Sequence, residues 1–122
     1  MHFDAESLTP LYQQIADAFA DGILSGAFAE ETQIPSTTQV AREYQLNPAT
    51  VLKGMNILVD NGLIEKRRGL GMFVTPGAQA QLARQSKDLF YSEQVTALVT
   101  QARALHISKT ELLTAIEKGY AK

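Results

Sequence analysis

Two apolar-striped segments separated by only three residues, Gln45 to Asn47, constrain this chain more than any other feature. The first opens at Ser36, where Ser-Thr-Thr-Gln reads as a capping box: the serine hydroxyl accepts an orphan N–H and Gln39 can reach back to the cap. Val40, Ala41 and Tyr44 supply its buried face. The second opens at Asn47-Pro48, a good cap followed by proline at the first helical position, where a missing N–H costs nothing. Val51, Leu52, Met55, Leu58 and Val59 then recur at helical spacing, and Asn61-Gly62 stops the run. Two helices joined by so short a turn have the spacing of a helix-turn-helix. Many proteins hold two helices this way, so the spacing alone leaves the function open.

The flanks narrow the reading. Upstream, Thr9 as cap and Pro10 at the first position open a helix with Leu11, Ile15, Ala18, Phe19 and Ile23 on one side, closed by Gly26. Residues 27–34 lack a period and read as a loop. Downstream of Gly62, Leu63–Lys66 and Met72–Val74 are short enough for strands, with Arg67-Arg68-Gly69-Leu70-Gly71 between them. That pattern predicts a hairpin with a basic, glycine-rich tip. Three helices followed by such a hairpin make a winged helix, mainly α with a small β-hairpin. Thr75-Pro76-Gly77 then punctuates the chain, so the expected division is 1–76 for the winged helix and 77–122 for a separate helical region.

Residues 78–106 contain no Gly or Pro and predict one long helix of roughly 40 Å. Its later half carries the stripe Val95, Leu98, Val99, Ala102 and Leu105, and its earlier half offers Leu82, Leu89 and Phe90. Ser108-Lys109-Thr110-Glu111 is another capping box, opening a last helix with Leu112, Leu113, Ile116 and Tyr120 on one side. Such a two-helix tail cannot bury both apolar faces alone. A second copy is the simplest cover, through Leu89, Val95, Leu98, Val99, Ala102, Leu105, Leu112, Leu113 and Ile116. Folding back onto the winged helix, leaving a monomer, is the alternative.

Charge and composition decide between classes of function. The net charge of −2 argues against a nucleic-acid binder until its distribution is considered. Residues 1–41 carry six acids and no Lys or Arg, whereas residues 42–76 carry five bases against three acids, three of those bases consecutive at 66–68. The local field matters more for binding than the sum. With no Cys and only His2 and His106, far apart, there is no material for a thiol nucleophile, a metal site or a His-based centre, so neither an enzyme nor a cofactor is expected. No apolar run approaches the roughly 18 residues of a membrane span, and the start, MHFDAESLTP, lacks a signal peptide's basic and apolar regions. The expected location is the cytoplasm.

The stretches PLYQQIADAFADGILSGAF, IPSTTQVAREYQLNPATV and LVDNGLIEKRRGLGMFV, which together fall within residues 10–74, resemble the GntR family of bacterial transcription regulators. The Asn47-Pro48-x-Thr50-Val51 start and the short tail are similar to its YtrA subfamily. The resemblance implies a dimeric repressor of its own operon, with an N-terminal winged helix and a small two-helix dimerisation region. It departs from the family at Thr38 and at Leu52 or Lys53, where arginines that touch DNA are common. The class of ligand, double-stranded operator DNA, is unaffected by those departures; the operator sequence is not implied.

A recognition helix presents its first turns to base edges. Asn47, Ala49, Thr50 and Lys53 occupy that stretch. Lys53 is the best candidate for direct readout, since lysine can donate to guanine O6 and N7, and Ala49 is small enough to admit a thymine methyl. Asn47 serves as cap, as base contact, or as both. Ser36, Thr37 and Thr38 crown the preceding helix, whose free N–H groups suit a phosphate, although Ser36 could simply cap. Arg67 and Arg68 are expected on phosphates or in the minor groove, with Gly69 allowing the tight turn. Tyr12 either touches a phosphate or packs, and Arg42 either binds or pairs with an acid. A two-fold dimer would set two recognition helices one or two DNA turns apart, on an inverted repeat. A small-molecule effector is unidentified, and the tail has room for one only in a pocket at the dimer interface, where Tyr91, Glu93 and His106 are candidate lining. The rival reading is a winged helix used as a protein-interaction module through its acidic first 41 residues.

Overall fold

The first helix, α1 (Leu11–Ser25), turns Ile15, Ala16, Phe19 and Ile23 inward, all buried, with Leu11 and Ala18 at the edge of that face. It begins one residue later than the sequence suggests. Pro10 keeps an extended ψ of 149° and is itself the cap, its carbonyl accepting from the Gln13 and Gln14 N–H groups at 3.0 Å each. Thr9 caps nothing; its carbonyl accepts from Gln14 Nε2. Gly26 closes the helix at φ 87°, a region costly for any residue with a Cβ. These elements belong to a computed structural model that describes residues 1–122, which divide into two compact units, Met1–Ala83 and Arg84–Lys122.

Helix α2 (Thr37–Tyr44) is capped by Ser36, whose Oγ accepts from the Gln39 N–H at 3.1 Å. Val40 and Ala41 are buried, and the half-buried Tyr44 meets Phe3 edge-on at 5.2 Å between ring centres. Gln45 takes the left-handed conformation, Leu46 N–H returns to the Ala41 carbonyl, and Asn47 opens α3 (Pro48–Asp60) by accepting from the Ala49 N–H at 2.8 Å. Val51, Met55 and Leu58 are buried as their spacing predicts. Leu52 and Val59 are not: they are 49% and 36% exposed, on the opposite edge of the helix.

Gly54 takes the inward place that the hydrophobic period could not weigh. A Cβ there would stand 2.7 Å from the Tyr12 carbonyl oxygen and 3.0 Å from Ile15 Cγ2, so α1 and α3 cross at a distance only glycine permits. Gly54→Val is expected to destabilise the unit by about 1–3 kcal/mol, the usual cost of overpacking. A chemical-denaturation midpoint equal to wild type would show that the crossing is looser than described.

The hairpin pairs β1 (Ile64–Arg67) with β2 (Gly71–Val74), antiparallel, in the register Ile64↔Val74, Glu65↔Phe73, Lys66↔Met72 and Arg67↔Gly71. Ile64 and Val74 are buried beneath it. Gly69 at φ 79° turns the tip, where Leu70 N–H bonds the Arg67 carbonyl at 2.9 Å. The segment 27–34 is more than a connector. Gln33 bridges Phe73, Ile34 N–H reaches the Met72 carbonyl, and Gln33 Nε2 donates to the Leu70 carbonyl at 2.8 Å, so this segment braces the outer edge of β2.

Helix α4 (Ala78–Leu89) starts within the first unit, where Ala78 is buried, Gln79 Nε2 donates to the Leu24 carbonyl and Gln81 Nε2 to the Asn61 carbonyl. The backbone stays helical over nearly all of the single helix expected at 78–106, with a change of hydrogen-bond pattern in its middle. Residues Phe90–Val95 form a π-helical segment, α5 (Thr96–Ala104) follows, and the chain turns at His106, which takes φ 58°. Ser108 then caps α6 (Lys109–Tyr120), accepting from the Glu111 N–H at 3.1 Å. No helix is long and apolar enough to cross a membrane.

Candidate nucleic-acid interface

One groove of about 380 Å³ in the first unit joins the start of α2, the outer edge of α3 and the tip-ward half of the hairpin. Ser36, Thr37 and Thr38 line it from α2, Leu52, Asn56 and Val59 from α3, and Lys66 and Met72 from the strands. A shallow depression continues along α3 past Ala49, Leu52, Lys53 and Asn56. The sequence-derived α2 residues thus share a groove with α3, and two of the α3 candidates, Ala49 and Lys53, lie on its continuation.

Leu52, Asn56 and Lys66 of this surface are among the residues that went unselected by sequence reasoning. Leu52, taken for core, faces outward because it sits between the buried Val51 and the shallow depression. Asn56 stands one turn beyond Leu52 and Lys53, and an asparagine amide has the donor and acceptor pair that fits adenine. Lys66 belongs to the basic run and stands alongside the α2 start. The signal for Asn56 was present in the i, i+4 relation to an exposed Leu52, but only once that exposure is known.

Local bonds define what each candidate has free. Asn47 Oδ1 accepts from the Ala49 N–H, which leaves the amide nitrogen to donate outward. Ser36 Oγ accepts a bond in its capping role and keeps its own proton to give. Thr50 is half-buried and Ala49 exposed. Lys53 Nζ lies 4.0 Å from the centre of the Tyr12 ring. Tyr12 therefore packs, and it packs against the best readout candidate.

The two wing arginines differ. Arg67 is held along the hairpin, its Nε and Nη2 donating to Glu65 Oε1 at 3.2 and 3.0 Å and its guanidinium lying 4.4 Å from the Phe73 ring centre. Residues two apart on a strand share a face, and Phe73 pairs with Glu65 across the hairpin, so this clamp follows from register. Arg68 and Gly69 stand exposed at the tip. Of the two alternatives for Arg42, the ion pair does not form: Arg67–Glu65 is the one ion pair, and Arg42 is exposed.

The second unit has its own apolar surface. Val95, Leu98, Val99 and Ala102 of the first helical stretch face Ile107, Leu112, Leu113 and Ile116 across a groove of about 360 Å³. Leu105 joins Leu98, Ala102 and Leu112 in a smaller hollow beside it. Of the large apolar residues, Leu98 remains 42% and Leu113 48% exposed. Leu89, Tyr91, Glu93 and His106 line neither of these two hollows.

A three-helix core, a short turn between α2 and α3, and a hairpin whose strands share a groove with both define a winged helix-turn-helix, a class built to lay one helix along a DNA groove. Residues 11–74 match the family of "Bacterial regulatory proteins, gntR family". The chain belongs to this GntR family of DNA-binding transcriptional regulators and is not an enzyme. It is similar to the HTH-type transcriptional repressor YtrA of Bacillus subtilis, 30% identical over 92% of this chain and 83% of that protein. A crystal structure of a GntR-family regulator from Bacteroides thetaiotaomicron superposes with a TM-score of 0.77 at 33% identity, covering 90% of this chain and 96% of that one. The N-terminal domain of AraR, solved in complex with mutant ORR3, aligns at 26% identity and a TM-score of 0.54 over 57% of this chain and all of that one.

Proposed function

We propose that this chain is a homodimeric repressor that binds an inverted-repeat operator at its own promoter, in the cytoplasm, and excludes polymerase. The observation that carries it is the shared groove: the α2 start, the exposed edge of α3 and Lys66 line one surface, the arrangement needed to grip a backbone while reading the adjacent bases. The likeness to the repressor YtrA and to the AraR domain in its complex supports the same reading.

In this reading residues 1–76 bind DNA and residues 77–122 pair two copies. Asn47, Ala49, Thr50 and Lys53 present their groups to base edges, joined by Asn56. Ser36, Thr37 and Thr38 offer hydroxyls and helix N–H groups to a phosphate. Arg68 reaches the backbone or minor groove from the wing tip over Gly69, while Arg67, clamped to Glu65, stiffens the hairpin and keeps only its remaining guanidinium edge for a phosphate. The second unit's apolar groove goes to the partner copy, which leaves a small-molecule effector no seat there.

The reading is tested by fluorescence-anisotropy titration with duplex from upstream of the gene and a scrambled duplex, at two salt concentrations. Tight binding to the upstream duplex alone is expected. Equal binding to both would sink autorepression. Arg68→Ala is expected to weaken binding to both duplexes and to flatten the dependence of log K on log salt by about 1.8, one phosphate contact from each of two copies. An unchanged slope would remove the wing tip from the interface.

A further inference from the structure

Lys53 has no acid partner, and an unrestrained lysine loses much rotamer freedom when it is fixed on a base. Here it is already restrained. Its Nζ lies 4.0 Å from the centre of the Tyr12 ring, within the range of a cation–π contact, although Tyr12 belongs to a different helix. The contact is enforced from below. Gly54, the next residue after Lys53, brings α3 so close to α1 that a Cβ would stand 2.7 Å from the Tyr12 carbonyl oxygen. The Tyr12 backbone cannot drift without parting the two helices, which anchors its half-buried side chain beside α3.

We propose that Tyr12 is a positioning residue for sequence readout, its ring pre-orienting the Lys53 ammonium along the recognition helix before DNA arrives. This rests on the proposed reading of Lys53 as a base contact. Pre-orientation lowers the ordering cost of the bound state, and it does so only for DNA that Lys53 actually reads. Tyr12 therefore sharpens discrimination more than it adds affinity. The ring carries the effect and the hydroxyl does not, which separates this role from a phosphate contact by the tyrosine O–H.

The test uses the duplex that the wild-type chain enriches from a randomised pool, together with its single-base variants. Binding is measured for wild type, Tyr12→Phe, Tyr12→Leu, Lys53→Ala and the Tyr12→Leu/Lys53→Ala pair, each checked for a wild-type melting transition. Tyr12→Leu is expected to lose about two- to fivefold of discrimination at one position of each half-site, the size an exposed cation–π contact supports. Binding to scrambled duplex stays unchanged, Tyr12→Phe retains the discrimination, and Tyr12→Leu has no further effect once Lys53 is alanine. If Tyr12→Leu lowers its melting transition, the comparison of Tyr12→Phe with wild type and the non-additivity with Lys53→Ala decide at a temperature where both fold. Full discrimination in Tyr12→Leu overturns the proposal, as does tighter operator binding, which would mean that the ring parks the lysine away from DNA. Loss in Tyr12→Phe equal to that in Tyr12→Leu also overturns it. A Lys53→Ala chain with unaltered base preference overturns the readout role of Lys53 itself, a failure distinct from the others.

Discussion

On the proposed dimer, Leu113→Glu is expected to yield a monomer and to cut affinity for an intact operator by about 10²–10⁴-fold. The residue is half-exposed and lines the apolar groove of the second unit, so a charge there can turn to water in a lone chain. On a two-fold axis the same substitution enters the interface from both sides, and two carboxylates must lose water against Leu98 and Ile116. Two winged helices on one dimer bind the second half-site as an intramolecular event, and separating them forfeits that effective concentration. Sedimentation velocity with circular dichroism checks it: a halved mass with undiminished helicity, and a matching loss in operator titration. A variant that remains dimeric would move the interface to another face.

The second large effect concerns stability. Phe19 is fully buried in α1 and stacks on Phe28, ring centres 5.2 Å apart. Phe28 lies over Gly22, whose missing side chain makes room for that ring, and its N–H bonds the Gly22 carbonyl at 2.9 Å. Phe19→Ala removes the centre of this packing and leaves a cavity beside Ile15 and Ile23, at a cost of about 3–5 kcal/mol. A unit of this size holds only about 4–12 kcal/mol in all. The melting temperature is expected to fall by at least about 12 °C. Leu70→Ala, on the exposed wing tip, is the control and should stay within about 0.5 kcal/mol of wild type. A shift of only a few degrees for Phe19→Ala would contradict the core described for α1.

Much of the fold was written in short-range chemistry. Ser36, Asn47 and Ser108 announce helix starts because their side chains satisfy N–H groups that nothing else in the chain can reach, and the structure shows each of those bonds. Gly26 and Asn61-Gly62 mark stops for the complementary reason, and Arg68-Gly69 marks the hairpin tip. The inexact start of α1 shows the limit of that logic. Thr9 and Pro10 both suit a helix opening, and only the extended ψ of Pro10 decides between them.

What was hidden depends on contacts between distant segments. The hydrophobic period of α3 includes Leu52 and Val59, and a wide apolar stripe does not declare which edge another helix will cover. Gly54 decides it, by drawing α1 onto one side, but a glycine adds nothing to a hydrophobic pattern. Asn56 became visible as part of the surface only through the exposure of Leu52. The pairing of Tyr12 with Lys53 spans forty-one positions and follows from the same crossing. The π-helical segment at Phe90–Val95 depends on a slip in backbone hydrogen bonding, which leaves no trace in composition.

Selection of bound duplexes from a fully randomised pool tests the central claim most directly, since it presumes neither the operator nor its place in a genome. The account predicts enrichment of an inverted repeat whose half-sites lie about one or two helical turns apart, two chains to each duplex. Pools that remain random after repeated rounds, at a salt concentration low enough for backbone binding, would contradict it.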